Sequence, residues 1–252
     1  MPALTELVSY CDNLLSVNQF HDYCPNGLQV QGRENITKIV SGVSACQALL
    51  DAAVAEKADL ILVHHGYFWK GEDPCVVSLK YRRLKRLLTH DIGLLAYHLP
   101  LDAHPELGNN AQLAQLCGFI ATGRFGKGAQ DDIGWRGELS SALLPKELHR
   151  LLSNKLGREA LHINVGDRPI KTLAWCTGGA QSYINEAVQL GVDAFISGEI
   201  SEQTVHIARE SGVHYFAAGH HATERYGVQA LGCHLAKKFD IDHQFIDIDN
   251  PV

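Results

Sequence analysis

Leu60-Ile61-Leu62-Val63-His64-His65-Gly66 is an apolar run that stops abruptly at two imidazoles and a glycine. Four consecutive aliphatic residues bounded by polar groups read as a strand buried on both faces, the mark of a parallel α/β sheet. Two further stretches end in the same way. Leu94-Leu95-Ala96-Tyr97 runs into His98-Leu99-Pro100-Leu101-Asp102, and Tyr215-Phe216-Ala217-Ala218 runs into Gly219-His220-His221-Ala222-Thr223-Glu224. In open α/β sheets, ligands collect just beyond the carboxyl ends of strands. Three such ends carrying His, Asp and Glu therefore predict one metal site.

Outward from these strands the periodicity alternates. Leu4, Leu7, Val8, Cys11, Leu14 and Leu15 recur at helical spacing. Lys38 to Val43 reads as a strand, Ala45 to Glu56 as a helix, Asp59 to Val63 as the next strand and Ser78 to Thr89 as a basic helix. Gly108 to Cys117 closes this half as a further helix. Ala121 to Asp132 is glycine-rich and aperiodic, which marks a connection. Pro145 to Leu156 then predicts a helix with proline at its first position and Leu148, Leu151, Leu152 and Leu156 on one face, followed by a strand from Ala160 to Val165.

The second half repeats the first. Lys38 to His65 aligns without a gap on Thr172 to Glu199, placing Asp59 on Asp193 and Leu62 on Ile196. Leu94–His98 is paralleled by Tyr215–His220. Any two βα units share some of this pattern, but the matching order of elements favours a real duplication. The expected fold is α/β: two related α/β lobes with the metal site in the cleft between them. The first lobe would span 1–120, a connecting segment 121–170, and the second lobe 171–252.

Of the 252 residues, 46% are apolar and 20% charged, an ordinary globular balance, and the formal charge of −6 argues against a protein built to coat nucleic acid. No apolar run reaches the roughly 18–20 residues of a membrane-spanning helix, and Met1 to Glu6 lacks the basic start of a signal peptide. The expected location is cytoplasmic. Seven scattered cysteines without a Cys-x-x-Cys pair exclude a thiolate zinc cluster and a disulfide framework. Fourteen histidines are the unusual feature.

Imidazole nitrogen and carboxylate oxygen suit divalent zinc, manganese, iron, nickel, cobalt or magnesium. His220 and Glu224 are four apart and share one face if a helix begins near Gly219. His64 and His65 would diverge in a regular strand, but a strand end followed by Gly66 can bend and bring both rings to the site. Asp102 would bridge. His64, His65, Asp102, His220 and Glu224 are too many ligands for one closed tetrahedral ion and suit two divalent ions per chain, about 3.5–4 Å apart. Such a pair performs hydrolase chemistry, with His98 or Glu199 moving protons. The run Lys80, Arg82, Arg83, Lys85 and Arg86 reads first as a solvated helix face and second as a phosphate anchor. Gly108-Asn109-Asn110 and Thr177-Gly178-Gly179 are turns whose backbone N–H groups would hold an anion.

The chain resembles the NIF-three-like family, whose bacterial members carry the label GTP cyclohydrolase 1 type 2 homologue. The resemblance rests on Pro25-Asn26-Gly27-Leu28-Gln29-Val30, Val63-His64-His65-Gly66, His98-Leu99-Pro100-Leu101-Asp102 with Gly108-Asn109-Asn110, Gly198-Glu199, and Gly219 to Glu224. It extends over essentially the whole chain and is closest to the short proteobacterial members. It implies the NIF-three-like fold, a dinuclear metal centre on the same five ligands, a homohexameric ring and a small-molecule substrate such as a nucleotide. Leu99-Pro100 departs from the Thr-Asn pair of many relatives. Three functions compete: a metal-dependent, cyclohydrolase-like hydrolase of a nucleotide or related phosphorylated molecule; a non-catalytic metal-binding scaffold or metal chaperone; and, weakest, DNA binding.

Overall fold

Ile39, Leu60, Ile61, Leu62 and Leu95 have no exposed surface, and they lie on neighbouring parallel strands paired Ile39↔Leu60 and Leu62↔Leu95. The computed structural model describes residues 1–126 and 132–252. Its elements, in chain order, begin with α1 (Leu4–Leu14), β1 (Gly27–Val30), β2 (Lys38–Ser44), α2 (Gln47–Ala55) and β3 (Leu60–His65). They continue with α3 (Ser78–His90), β4 (Gly93–Ala96), α4 (Leu99–Ala103), α5 (Asn109–Cys117), β5 (Phe119–Phe125) and β6 (Gly134–Leu143). Then come α6 (Pro145–Leu156), β7 (Leu161–Ile163), β8 (Ile170–Cys176), α7 (Ile184–Gln189) and β9 (Ala194–Ser197). The chain closes with α8 (Glu202–Ser211), β10 (His214–Ala217), α9 (His220–Phe239) and β11 (Asp242–Phe245).

Two compact units result, Met1–Gly108 with Gly227–Asp249, and Asn109–Tyr226 with Asn250–Val252. The chain thus divides at 108/109 and 226/227 rather than at the expected 120/121 and 170/171. The first unit holds a sheet ordered β1-β4-β3-β2-β11, the second a sheet ordered β5-β6-β8-β9-β10-β7.

Within each unit the central strands of the sheet are buried on both faces, and successive residues alternate between two cores. In the first unit, Ile61, Val63 and Leu94 pack with Leu49, Leu50, Leu84 and Leu87. Leu60, Leu62 and Leu95 turn the other way, towards Leu4, Leu7, Leu231 and Leu235. In the second, Leu173, Trp175, Ile196 and Phe216 pack with Leu113, Leu148 and Leu152. Phe195 and Tyr215 face Ile184, Ala187 and Ala208.

The duplication is present strand by strand. β1-β4-β3-β2 in one unit corresponds to β7-β10-β9-β8 in the other, each with an antiparallel edge strand against three parallel ones. The pairing Ile39↔Leu60 recurs as Leu173↔Ala194, and Leu28↔Leu95 as His162↔Phe216. One polar device recurs with it. Asp59 Oδ2 accepts the N–H groups of Thr37 (2.8 Å) and Lys38 (3.1 Å) and the Thr37 hydroxyl (2.6 Å). Asp193 Oδ2 accepts the N–H groups of Lys171 (3.0 Å) and Thr172 (2.9 Å) and the Thr172 hydroxyl (2.9 Å). Each carboxylate ties the start of its strand to the strand before it.

The predicted helices over Ser78–Thr89 and Pro145–Leu156 form, the latter opened by Pro145 with the Glu147 carboxylate accepting the Leu144 N–H at 2.8 Å. The connection expected from Ala121 to Asp132 does not: Ala121 to Phe125 complete β5, and residues 127–131 of that stretch lie outside the described residues. β5 is the edge strand of its sheet and mostly exposed, so no apolar alternation announces it. The stretch after His98 coils into α4, with Pro100 in its first turn.

Candidate metal centre

In the first unit the donors come from the ends of β3 and β4 and from α4. His64 is fully buried, and its Nδ1 donates to the Tyr97 carbonyl at 2.8 Å. That bond makes Nε2 the lone-pair nitrogen, and Nε2 lies 3.6 Å from Asp102 Oδ1. His65 bonds through Nδ1 to Ser44 Oγ at 3.0 Å. The strand end does bend, for the two neighbouring rings lie 4.6 Å apart at a 47° tilt instead of on opposite faces. His98 joins them, with ring centroids 5.0 Å from His64 and 5.8 Å from His65. Ligating nitrogens of all three lie within 4.8 Å of one another. Asp102 is buried on α4, where its N–H donates to the His98 carbonyl at 3.1 Å.

Asp22 is a site residue that sequence reasoning missed. Its Oδ1 accepts from His98 Nδ1 at 2.7 Å, and its Oδ2 accepts the Leu99 N–H at 2.9 Å and the Asn26 amide at 2.8 Å. Asn26 in turn accepts the His98 N–H at 2.7 Å. Burial alone would raise the Asp22 carboxyl, but these bonds and the His98 charge outweigh it and hold it below its ordinary value. The signal nearest to it in the sequence was the Pro25-Asn26-Gly27 tripeptide, whose residue types mark a turn. Nearby Cys24 is buried, burial and the Asp22 charge push its thiol up to about 12, and its sulfur lies within 4.8 Å of donor atoms of Asp22 and His98.

In the second unit, α9 starts at His220, so the four-residue spacing puts Glu224 beside it, with Nε2 to Oε2 at 3.0 Å. Glu199, just beyond β9, accepts from His220 Nδ1 at 2.7 Å. Burial opposes a charged His220, yet the bonds and charges of Glu224 and Glu199 prevail and hold the imidazolium up to about 9. Glu224 is itself only 3% exposed. Gly178 has φ +68°, and a Cβ there would sit 2.0 Å from Glu224 Oε1 and 3.2 Å from His220 Nε2. Glycine at this position is what lets the donors approach the loop.

The donor set fits divalent ions. His64, His65, His98 and His220 each engage Nδ1 with a carbonyl, a hydroxyl or a carboxylate. Metal-binding histidines are oriented in this way, with the other ring nitrogen left to the ion. Of the two residues expected to move protons, Glu199 holds His220 and His98 is held by Asp22. In the two turns expected to hold an anion, the Gly108 N–H goes to the His104 carbonyl, the Thr177 N–H to Asn110 Oδ1 and the Gly178 N–H to Thr223 Oγ1. In the basic run Lys80 pairs with Glu72 and Arg86 with Asp51, the behaviour of a solvated helix face. Among the described residues, no helix is long and apolar enough to cross a membrane.

Residues 2–251 match the family model described as Duf34/NIF3, NGG1p interacting factor 3. A Pseudomonas aeruginosa protein named GTP cyclohydrolase 1 type 2 homolog is 58% identical over 249 residues, 99% of this chain and 98% of its own length. An Escherichia coli protein of the same name is 52% identical over 248 residues, 98% of either chain. A solved structure described as protein ybgI of unknown function superposes with a TM-score of 0.95 at 51% identity, covering 99% of this chain and 100% of that one. TTHA1606 from Thermus thermophilus follows at 0.88 and 31%, with 99% and 100% covered.

Proposed function

Because the chain belongs to the Duf34/NIF3 family, we propose that it is a dinuclear metal-dependent hydrolase of a nucleotide or related phosphorylated small molecule, of the GTP cyclohydrolase type 2 kind. The observation that carries the reading is the common orientation of His64, His65 and His220, each with Nδ1 engaged, beside the buried carboxylates Asp102 and Glu224. In this reading His64, His65, Asp102, His220 and Glu224 would hold the two divalent ions. Bound ions would supply Lewis-acid polarisation and a hydrolytic nucleophile at neutral pH.

The chain's own residues do the rest. Asp22, 2.7 Å from His98 Nδ1, stabilises the imidazolium that forms when His98 Nε2 takes a proton, and so lets His98 return it to a leaving group. Glu199 holds His220 by Nδ1, which leaves Nε2 as the nitrogen that would exchange its proton for an ion, and the second oxygen of Glu199, 3.4 Å from the Gln181 amide, is the alternative proton carrier. A homohexamer completes the reading and rests on the family resemblance; light scattering on the purified chain tests the assembly.

The deciding experiment is metal analysis on purified protein, paired with a nucleotide hydrolysis screen on the same reloaded sample. The expected result is two ions per chain and turnover that disappears in His64→Ala. Two ions with no turnover on any nucleotide would replace the hydrolase with a metal-binding scaffold or chaperone. Failure to retain metal after reloading would overturn the centre itself.

A further inference from the structure

Trp69 is placed with unusual care for a residue that belongs to neither apolar cluster described for its unit. It is half-buried, and its ring stands 5.1 Å from that of His98 at 83° and 6.0 Å from that of His65. The loop carrying it is tied down on both sides. Gln29 accepts the Tyr67 N–H at 2.7 Å and donates to the Tyr67 carbonyl at 3.1 Å. The Lys70 N–H donates to the Tyr23 carbonyl at 2.6 Å. The Trp69 N–H itself donates to Glu72, whose other oxygen pairs with Lys80 at 2.7 Å. Gly66 permits this approach, since a Cβ there would lie 2.2 Å from Gln29 Oε1.

Phe68 between these tethers has φ +64°, a conformation that bulky L-residues rarely adopt and that persists only where the surroundings impose it. The loop therefore spends backbone strain and four polar tethers on holding one indole beside two imidazoles. The indole N–H is already used, donating to the Gly66 carbonyl at 3.1 Å. What the ring offers a ligand is π surface and no hydrogen bond. Such a surface recognises a planar heteroaromatic ring by stacking and gives no polar contact to a phosphate.

We propose that Trp69 is the stacking platform for a heteroaromatic ring, which makes the substrate class of the neighbouring histidine cluster a nucleobase-bearing or similar heterocyclic compound. The Gln29 of the Pro25–Val30 motif is then a positioning residue for that platform. The proposal rests on the reading of the histidine cluster as the reaction centre, but it is tested by binding alone. Calorimetric titration with guanosine, a ring without phosphate, and with tripolyphosphate, phosphate without a ring, is run on the metal-reloaded wild type, Trp69→Phe and Trp69→Ala. Tryptophan emission is followed in parallel.

Guanosine is expected to bind wild type with saturable quenching, to lose at least about tenfold in affinity in Trp69→Ala, and to bind Trp69→Phe within about threefold of wild type without that quenching. Tripolyphosphate binding should be the same in all three. Equal guanosine affinity in wild type and Trp69→Ala, or unchanged wild-type emission at saturating guanosine, overturns the proposal. If Trp69→Ala fails to fold, the emission change in wild type and its loss in Trp69→Phe decide. Trp69-dependent guanosine binding without hydrolysis of any nucleotide would leave the platform standing and remove the hydrolase. Hydrolysis with an unchanged KM in Trp69→Ala would do the reverse.

Discussion

Replacing Asp59 by alanine tests whether the duplicated carboxylate works as a backbone clamp or as half of an ion pair. Asp59 faces two kinds of partner. Arg33 lies 2.7 Å from Oδ1, but its side chain is 47% exposed, so the pair contributes about 0–1 kcal/mol. The Thr37 and Lys38 N–H groups and the Thr37 hydroxyl converge on Oδ2. Taking about 1 kcal/mol for each donor left without an acceptor, Asp59→Ala costs about 3 kcal/mol and Arg33→Ala at most about 1. For a chain of this size, 3 kcal/mol lowers the melting midpoint by about 6–12 °C. The pH dependence has a definite sign. Burial would raise the Asp59 carboxyl, but the Thr37 bonds, Arg33 and Lys38 outweigh it, so its folded pKa lies below the unfolded one. The stabilisation is therefore complete above the unfolded value of about 3.9 and is lost as pH falls through the folded one. Scanning calorimetry of wild type, Asp59→Ala and Arg33→Ala at pH 7 and at pH 3 should show the gap between wild type and Asp59→Ala shrinking in acid. Equal losses in the two variants at pH 7 would refute the clamp.

The twin site predicts a smaller effect for Asp193→Ala, because the Asp193 side chain is 21% exposed against 7% for Asp59; the same calorimetry ranks the two. Glu199→Gln, which weakens the carboxylate at His220 Nδ1, should cost 10–100-fold in metal affinity by chelator competition while leaving the melting midpoint within about 2 °C. Unchanged affinity would strip Glu199 of its orienting role. Gly178→Ala should lower metal loading although it removes no donor, because the new methyl would displace Glu224. Full loading by elemental analysis would show that the loop moves aside at no cost.

Legibility in the sequence followed burial. Strands β3, β4 and β10 announced themselves because both of their faces are covered, which leaves an unbroken apolar run. The four-residue step from His220 to Glu224 needed only helical geometry. β5 stayed hidden because an exposed edge strand needs no apolar face. Asp22 and Gln29 stayed hidden because their partners His98 and Tyr67 are 76 and 38 residues away.

The sequence by itself determined what depends on local order: the alternating elements, the duplication at constant offset, the donor types at the strand ends and the acidic, thiolate-poor chemistry of the chain. Tertiary structure alone decided which nitrogen each histidine presents, that Asp22 and Glu199 orient His98 and His220, and that a strained loop brings Trp69 to the imidazoles. The reason is physical. A side chain's type and local spacing are written in the chain, whereas its tautomer and orientation are set by hydrogen-bond partners that only folding brings within about 3 Å.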